Sequence, residues 1–114
     1  MKNAYILDWT MDDYDGLKNE LKEAGFDFEK ESDKEHIKVD VDLERVDVFA
    51  GIVRRHLNEP FNYVDIKFPR HRLVVVVFRE RIYKIDNPGI DKEAREWAIS
   101  IGLPEEQADW ATFY

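Results

Sequence analysis

The stretch LVVVVF, residues 73–78, constrains the fold more than any other part of this chain. It contains four consecutive valines, and β-branched side chains favour an extended strand over a helix. Because no polar residue interrupts the run, the strand is expected to be buried on both faces. Other parts of the chain, or a second copy of it, must therefore cover each face.

The length of the chain, 114 residues, is that of one domain, and we predict a single domain over residues 1–114. It divides into a core over 1–68, an added strand region over 69–86 and a helical tail over 90–114. There is no cysteine, which excludes disulfide bonds, cysteine zinc ligands and thiol nucleophiles. Without a signal-peptide pattern or a bilayer-spanning apolar run, we expect a cytoplasmic protein with no membrane contact.

Apolar spacing predicts six elements before LVVVVF, in the order strand, helix, strand, strand, helix, strand. The four strands are expected at residues 5–9, 26–30, 36–41 and 63–68. This is the element order of the ferredoxin-like βαββαβ core. We therefore predict an α+β fold with a ferredoxin-like core, one or two added antiparallel strands and two C-terminal helices.

Capping residues mark the expected helix ends. Thr10, with Asp13 three residues later, has the spacing of a capping box for the first helix, and Gly25 is expected to end that helix. Asp42 is expected to cap the second helix and Asp91 the third. The predicted helices thus follow the first strand, the hairpin and the added strands.

The C-terminal tail is expected to cover the second face of the sheet, because a ferredoxin-like core has helices on one face only. The third helix carries Trp97, and a short fourth helix that begins at Pro104 carries Trp110. Together with Phe113 and Tyr114, these side chains are large enough to cover part of that face. A homodimer that packs sheet against sheet is the alternative.

The net charge of −8 is unevenly distributed along the chain. Residues 1–44 hold 6 basic and 14 acidic side chains, residues 45–84 hold 9 and 4, and residues 85–114 hold 2 and 7. A basic centre is thus flanked by two acidic segments. Either these segments fold against the centre and neutralise it, or a basic face stays open for an acidic partner such as nucleic acid.

The predicted topology gathers residues of both signs at one end of the sheet. The basic residues there are Arg54, Arg55, Arg79 and Arg81. The acidic residues there are Asp8, Asp12, Asp13, Glu31, Asp33 and Glu35. At this density opposite charges are expected to pair with each other. The alternative is an anion site that the four arginines line.

A second basic group, Arg70, His71 and Arg72, precedes the LVVVVF strand, roughly 20 Å from the arginines at the strand's far end. We treat both groups as candidate residues for binding nucleic acid or another anion, and they form two separate patches. The segment from Arg79 to Arg81 is either a tight turn into a further strand or a bulge in one long strand.

The chain offers little support for catalysis. Asp8 at the end of the first strand is a possible metal ligand, and Asp65 with Lys67 matches half of a metal-dependent nuclease signature, for which Asp40 or Asp42 are possible upstream partners. The histidines, glycines and serines show no known metal-site, phosphate-loop or nucleophile spacing. We therefore predict no catalytic residue, no metal site and no cofactor.

Three functions remain, in order of preference. The first is a small acidic binding or regulatory module that acts through contacts with a partner protein or through self-association as a homodimer. The second is a nucleic-acid-associated protein that uses the basic residues between 70 and 81. The third is a metal-dependent nuclease.

Overall fold

The computed structural model describes residues 2–31 and 34–110, which form one six-stranded antiparallel sheet and three α-helices. In chain order the elements are β1 (Ala4–Ile6), α1 (Tyr14–Glu23), β2 (Phe28–Lys30), β3 (Ile37–Val39), α2 (Val46–His56), β4 (Tyr63–Phe68), β5 (Leu73–Phe78), β6 (Ile82–Ile85) and α3 (Pro88–Ser100). The strand order across the sheet is β2-β3-β1-β4-β5-β6. The predicted α+β class with an antiparallel sheet is confirmed.

Strand β5 is buried on both faces, as its composition predicts. All residues from Val74 to Phe78 have exposed fractions of 1% or less. Val75 and Val77 point to the face that packs on α1 and α2, which we call the first face. Val74, Val76 and Phe78 point to the opposite face, which we call the second face.

The first face carries the larger core. An apolar stripe along α2 and just after it, at helical spacing, is buried there: Val46, Phe49, Ala50, Val53 and Leu57. Leu17 and Leu21 of α1 are fully buried beside them. The ring of Phe49 meets that of Phe26 edge to face, with centroids 5.5 Å apart, a favoured aromatic geometry.

On the second face, α3 and the segment after it cover β5 and β6. The ring of Phe78 lies 4.9 Å from that of Trp97 and 5.9 Å from that of Trp110, centroid to centroid. Ala94 and Ala98, both fully buried, let α3 approach the sheet closely. The prediction that Trp97 and Trp110 cover this face is confirmed, while Phe113 and Tyr114 lie outside the described residues.

The first strand is shorter than predicted. It ends at Ile6, and a 3-10 turn at Asp8–Thr10 follows. The Trp9 side chain, at the end of the predicted strand, is 63% exposed. Once the chain leaves the sheet, the alternation of a strand no longer applies to its side chains.

Thr10 does not cap α1. Its hydroxyl donates to the Leu7 carbonyl at 2.6 Å, inside the 3-10 turn. The cap is Asp13, whose carboxylate accepts from the Gly16 N–H at 3.2 Å. Asp13 has a positive φ of 49°, a conformation that Asp tolerates better than most residues.

The other two caps also differ from prediction. A 3-10 turn at Leu43–Arg45 follows Asp42 and precedes α2, and the Asp42 side chain makes no capping hydrogen bond. Helix α3 begins at Pro88, and its cap is Asn87, four residues before Asp91: the Asn87 side chain accepts from the Ile90 N–H at 3.0 Å. Pro88 suits the first helical position because it has no N–H to satisfy.

A turn follows β5, and a 3-10 turn follows α3. The Phe78 N–H donates to the Arg81 carbonyl at 2.8 Å and Val77 pairs with Ile82, so the segment between the strands is a turn rather than a bulge. Gly102, with φ of +113°, ends α3. The predicted fourth helix is only a 3-10 turn, at Glu105–Gln107.

Candidate binding groove

Six of the seven basic candidates lie at the two ends of β5, while the seventh, Arg55, contacts Glu20 of α1. Pro69–His71 form a 3-10 turn between β4 and β5, and Arg70, His71 and Arg72 are exposed there. Arg79 and Arg81 flank the turn at the far end of the strand and are also exposed. The two patches are separate surfaces, since the strand between them has six residues.

Backbone carbonyls and an aromatic ring hold the arginines at the far end. The Nε of Arg54 donates to the Arg79 carbonyl at 3.1 Å, and Nη1 of Arg79 donates to the Asn58 carbonyl at 3.3 Å. The Arg81 guanidinium lies 5.0 Å from the centre of the Trp97 ring, a cation–π contact. These contacts join α2, the β5–β6 turn and α3.

The predicted pairing of these arginines with the acidic segment is largely wrong. Arg55 pairs with Glu20, at 3.3 Å, which is not one of the six predicted acids. Of those six, Asp8 pairs with His36 at 2.8 Å and Glu35 pairs with Lys30 at 2.9 Å.

Two of the remaining predicted acids are also used locally. Asp13 caps α1, and Glu31 accepts from the Tyr5 hydroxyl. Asp33 lies outside the described residues. In the described part of the chain none of the other five forms an ion pair with the four arginines.

The grouping of ionisable side chains and the length of the helices bear on a metal site and on a membrane span. Within residues 2–31 and 34–110, no three His, Asp or Glu side chains are grouped as ligands for a metal ion. Asp8, the proposed metal ligand, is bound to the His36 ring instead. No helix in these ranges has both the length and the apolar character to cross a bilayer.

The second face of the sheet is covered over β5 and β6 but not over β1. A groove of about 530 Å³ remains between β1, β4 and the segment that follows α3, and we call it the aromatic groove. Its apolar and aromatic lining includes Tyr5, Trp9, Phe61, Tyr63, Leu103 and Pro104. Concave, largely apolar sites with few polar groups are the usual form of a binding site.

Strand alternation places the groove's side chains. Val64 and Ile66 of β4 point into the first-face core, so Tyr63 and Asp65 point to the second face. Tyr5 of β1 does the same. The Tyr63 hydroxyl donates to the Gln107 carbonyl at 3.4 Å, a long hydrogen bond that joins the two walls of the groove.

Asp65 is the only charged side chain among the described residues that line the aromatic groove. It is half-buried, and burial raises the pKa of its carboxyl above the usual range, although the Lys67 ammonium and its own backbone N–H act in the opposite direction. Burial, and then the Asp65 charge, also raise the pKa of Tyr63. Perturbed groups in a concave site are typical of functional sites.

A second cavity, of about 440 Å³, continues across the same face of the sheet. It is lined by Lys2, Lys38 and Lys67 together with Glu29, and we call it the lysine cavity. Tyr5 and Asp65 line both cavities, so they lie at the boundary between the aromatic groove and the lysine cavity.

Replacing Asp65 with asparagine is expected to stabilise the protein at neutral pH, by up to about 1 kcal/mol, because the carboxylate is desolvated on folding. The raised pKa means that the folded state holds the proton more tightly. The wild-type protein therefore loses stability relative to Asp65→Asn as pH rises through the usual pKa range of Asp. The full difference is reached above the raised pKa of Asp65 in the folded state. Urea unfolding of both proteins at neutral and acidic pH checks this, and a difference that grows at acidic pH would contradict it.

The sequence indicated only part of this groove. Alternation along YVDIKF, residues 63–68, already places Tyr63, Asp65 and Lys67 on one side of the strand. We considered Asp65 only as half of a nuclease signature. The aromatic groove was missed because its walls come from β1, β4 and the segment after Gly102, which are far apart in the chain.

Comparison with models of known protein families, with curated proteins and with solved structures found no match to this chain.

Proposed function

We propose that this chain is a small protein-binding module that holds a segment of a partner protein in the aromatic groove. The observation that carries the proposal is the partly covered second face, where Trp9 is 63% exposed beside a groove of about 530 Å³. Aromatic side chains that cluster around a groove are the typical centres of protein interfaces. A regulatory role through this contact is part of the proposal.

A ferredoxin-like core belongs to the same proposal. It is supported by the strand order β2-β3-β1-β4 and by the packing of α1 and α2 on the first face. In this arrangement β5 and β6 extend the sheet beyond β4, and α3 returns over the added strands. The added part would then form one wall of the binding groove and the core the other.

The test uses a library of random peptides displayed on phage, followed by titration of the selected synthetic peptides. We expect the selected peptides to shift the NMR amide signals of Tyr5, Tyr63 and Leu103. Trp9→Ala is expected to weaken binding by about tenfold, the effect of losing a moderate aromatic anchor. The fold should survive this change because Trp9 is exposed.

Val48→Ala is the matched control. Val48 is an apolar side chain that is 49% exposed on α2, and it does not line the groove. Its replacement should change peptide affinity by less than about twofold, as expected for a residue outside the interface. Equal losses in the two variants, or a library that yields no binder, would contradict the proposal.

A second copy of the chain or a nucleic acid, bound in place of a partner protein, would give different binding results. Concentration-dependent dimerisation that Trp9→Ala abolishes, measured by sedimentation velocity, would make a second copy of the chain the occupant. Binding of a single-stranded oligonucleotide that depends on Arg70 and Arg72, with no peptide binding, would favour a nucleic-acid role. Either result would overturn the proposal of a separate protein partner.

A further inference from the structure

The aromatic groove has a marked electrostatic preference. Among the described residues that line it, Asp65 is charged and the others are apolar, aromatic or neutral polar. A carboxylate surrounded by aromatic rings creates a negative site, because the faces of the rings carry partial negative charge as well. Such a site attracts a cation and repels an anion.

Asp65 has no cation bound to it in the part of the chain that the structure describes. None of the ion pairs there includes its carboxylate. Lys67, two residues further along β4, lines the lysine cavity but not the aromatic groove. The Lys67 ammonium lowers the pKa of the Asp65 carboxyl, but burial outweighs it, so the carboxylate remains unfavourable for folding and a ligand cation would compensate for it further.

We infer that the aromatic groove binds a cationic side chain of the partner, with arginine preferred, and that Asp65 pairs with its guanidinium between the rings of Tyr5 and Tyr63. This inference rests on the proposed function and adds the chemical class of the bound segment. Burial of the Asp65 carboxyl, which raises its pKa, agrees with a partly desolvated site.

Arginine fits the groove better than lysine for two reasons. Its planar guanidinium stacks on aromatic rings and is less strongly hydrated than an ammonium group, so it loses less on entering a half-buried site. It also makes two parallel hydrogen bonds to one carboxylate. A lysine side chain would gain the charge attraction without the stacking or the second hydrogen bond.

The probe for this inference is N-acetyl-arginine amide, with N-acetyl-citrulline amide as the neutral control of almost the same shape. Titration followed by NMR should show saturable shifts of Tyr5, Tyr63 and Asp65 with the arginine compound. The citrulline compound should bind at least about tenfold more weakly, because it lacks the charge that pairs with the carboxylate.

Two variants test whether arginine binding depends on Asp65. Asp65→Asn keeps the shape of the side chain and should weaken arginine binding by at least about tenfold. Glu29→Gln removes another carboxylate on the same face, one that lines the lysine cavity and not the aromatic groove. This control should change the affinity by less than about twofold, as expected for a charge outside the contact.

Equal binding of the arginine and citrulline compounds, or an unchanged affinity in Asp65→Asn, would overturn the inference. Selected peptides that require Trp9 but contain no arginine or lysine would also overturn it, while leaving the protein-binding proposal intact. Conversely, arginine binding that depends on Asp65, without any selected peptide, would support the cation site and contradict the protein-binding proposal.

Discussion

Phe78→Ala is expected to lower the free energy of unfolding by about 3–5 kcal/mol, the cost of removing a fully buried aromatic ring. Phe78 is 0% exposed. Its ring contacts those of Tyr63, Tyr83, Trp97 and Trp110, with centroid distances between 4.9 and 6.5 Å. Its removal would leave a cavity at the centre of the second-face core, which the rigid surrounding rings cannot fill.

Urea unfolding at equilibrium measures this effect, and Trp9→Ala is its control. Trp9 is also a large aromatic residue but is 63% exposed, so its replacement should change stability by less than about 0.5 kcal/mol. A Phe78→Ala variant about as stable as the Trp9→Ala variant would mean that α3 and the following segment do not pack on β5.

Trp110→Ala is expected to cost about 3 kcal/mol, the lower end of the range for a buried aromatic residue. Trp110 is 3% exposed, and its ring lies 5.4 Å from that of Tyr63 and 5.9 Å from that of Phe78. Its buried indole N–H makes no hydrogen bond of normal geometry with the described residues, although it is near enough to the Tyr63 hydroxyl to act against the raised pKa of that group, and this lowers the net contribution of Trp110. The stabilisation therefore comes from the apolar contacts of the ring.

The same unfolding measurement with Trp110→Phe separates these contributions, because phenylalanine keeps a ring and lacks the N–H. This variant should lose less stability than Trp110→Ala. Ile99→Ala on α3, where the side chain is 41% exposed, is the control and should have little effect. A loss in Trp110→Phe as large as in Trp110→Ala would contradict the assignment to ring packing.

Long apolar patterns predicted the structure well. Strands β4 and β5 occupy the predicted residues, and the second predicted helix forms with its apolar side chains buried. In these segments several side chains share one face, so local spacing and tertiary packing favour the same conformation. The capping residues were predicted less well, because Thr10, Asp42 and Asp91 compete with neighbours that can also satisfy the free N–H groups.

The charged surface was predicted correctly in position but not in its contacts. The basic groups lie at the two ends of β5, as the element order implies. The acidic segment does not neutralise the far group, since Asp8 and Glu35 find partners within or beside the hairpin. Pairing of exposed charges depends on distances of a few ångströms, which element order does not provide.

The sequence alone is sufficient to place LVVVVF in a strand that is buried on both faces. A run of four valines flanked by leucine and phenylalanine puts only apolar side chains on each face, and exposing them to water is unfavourable. Only the tertiary structure shows how far the cover extends. Helix α3 and the segment after it reach β5 and β6 and stop at β4, which leaves Tyr5 and Asp65 beside an open groove. The extent of the cover depends on the turn at Gly102 and on contacts between residues distant in the chain, and no local pattern encodes those distances.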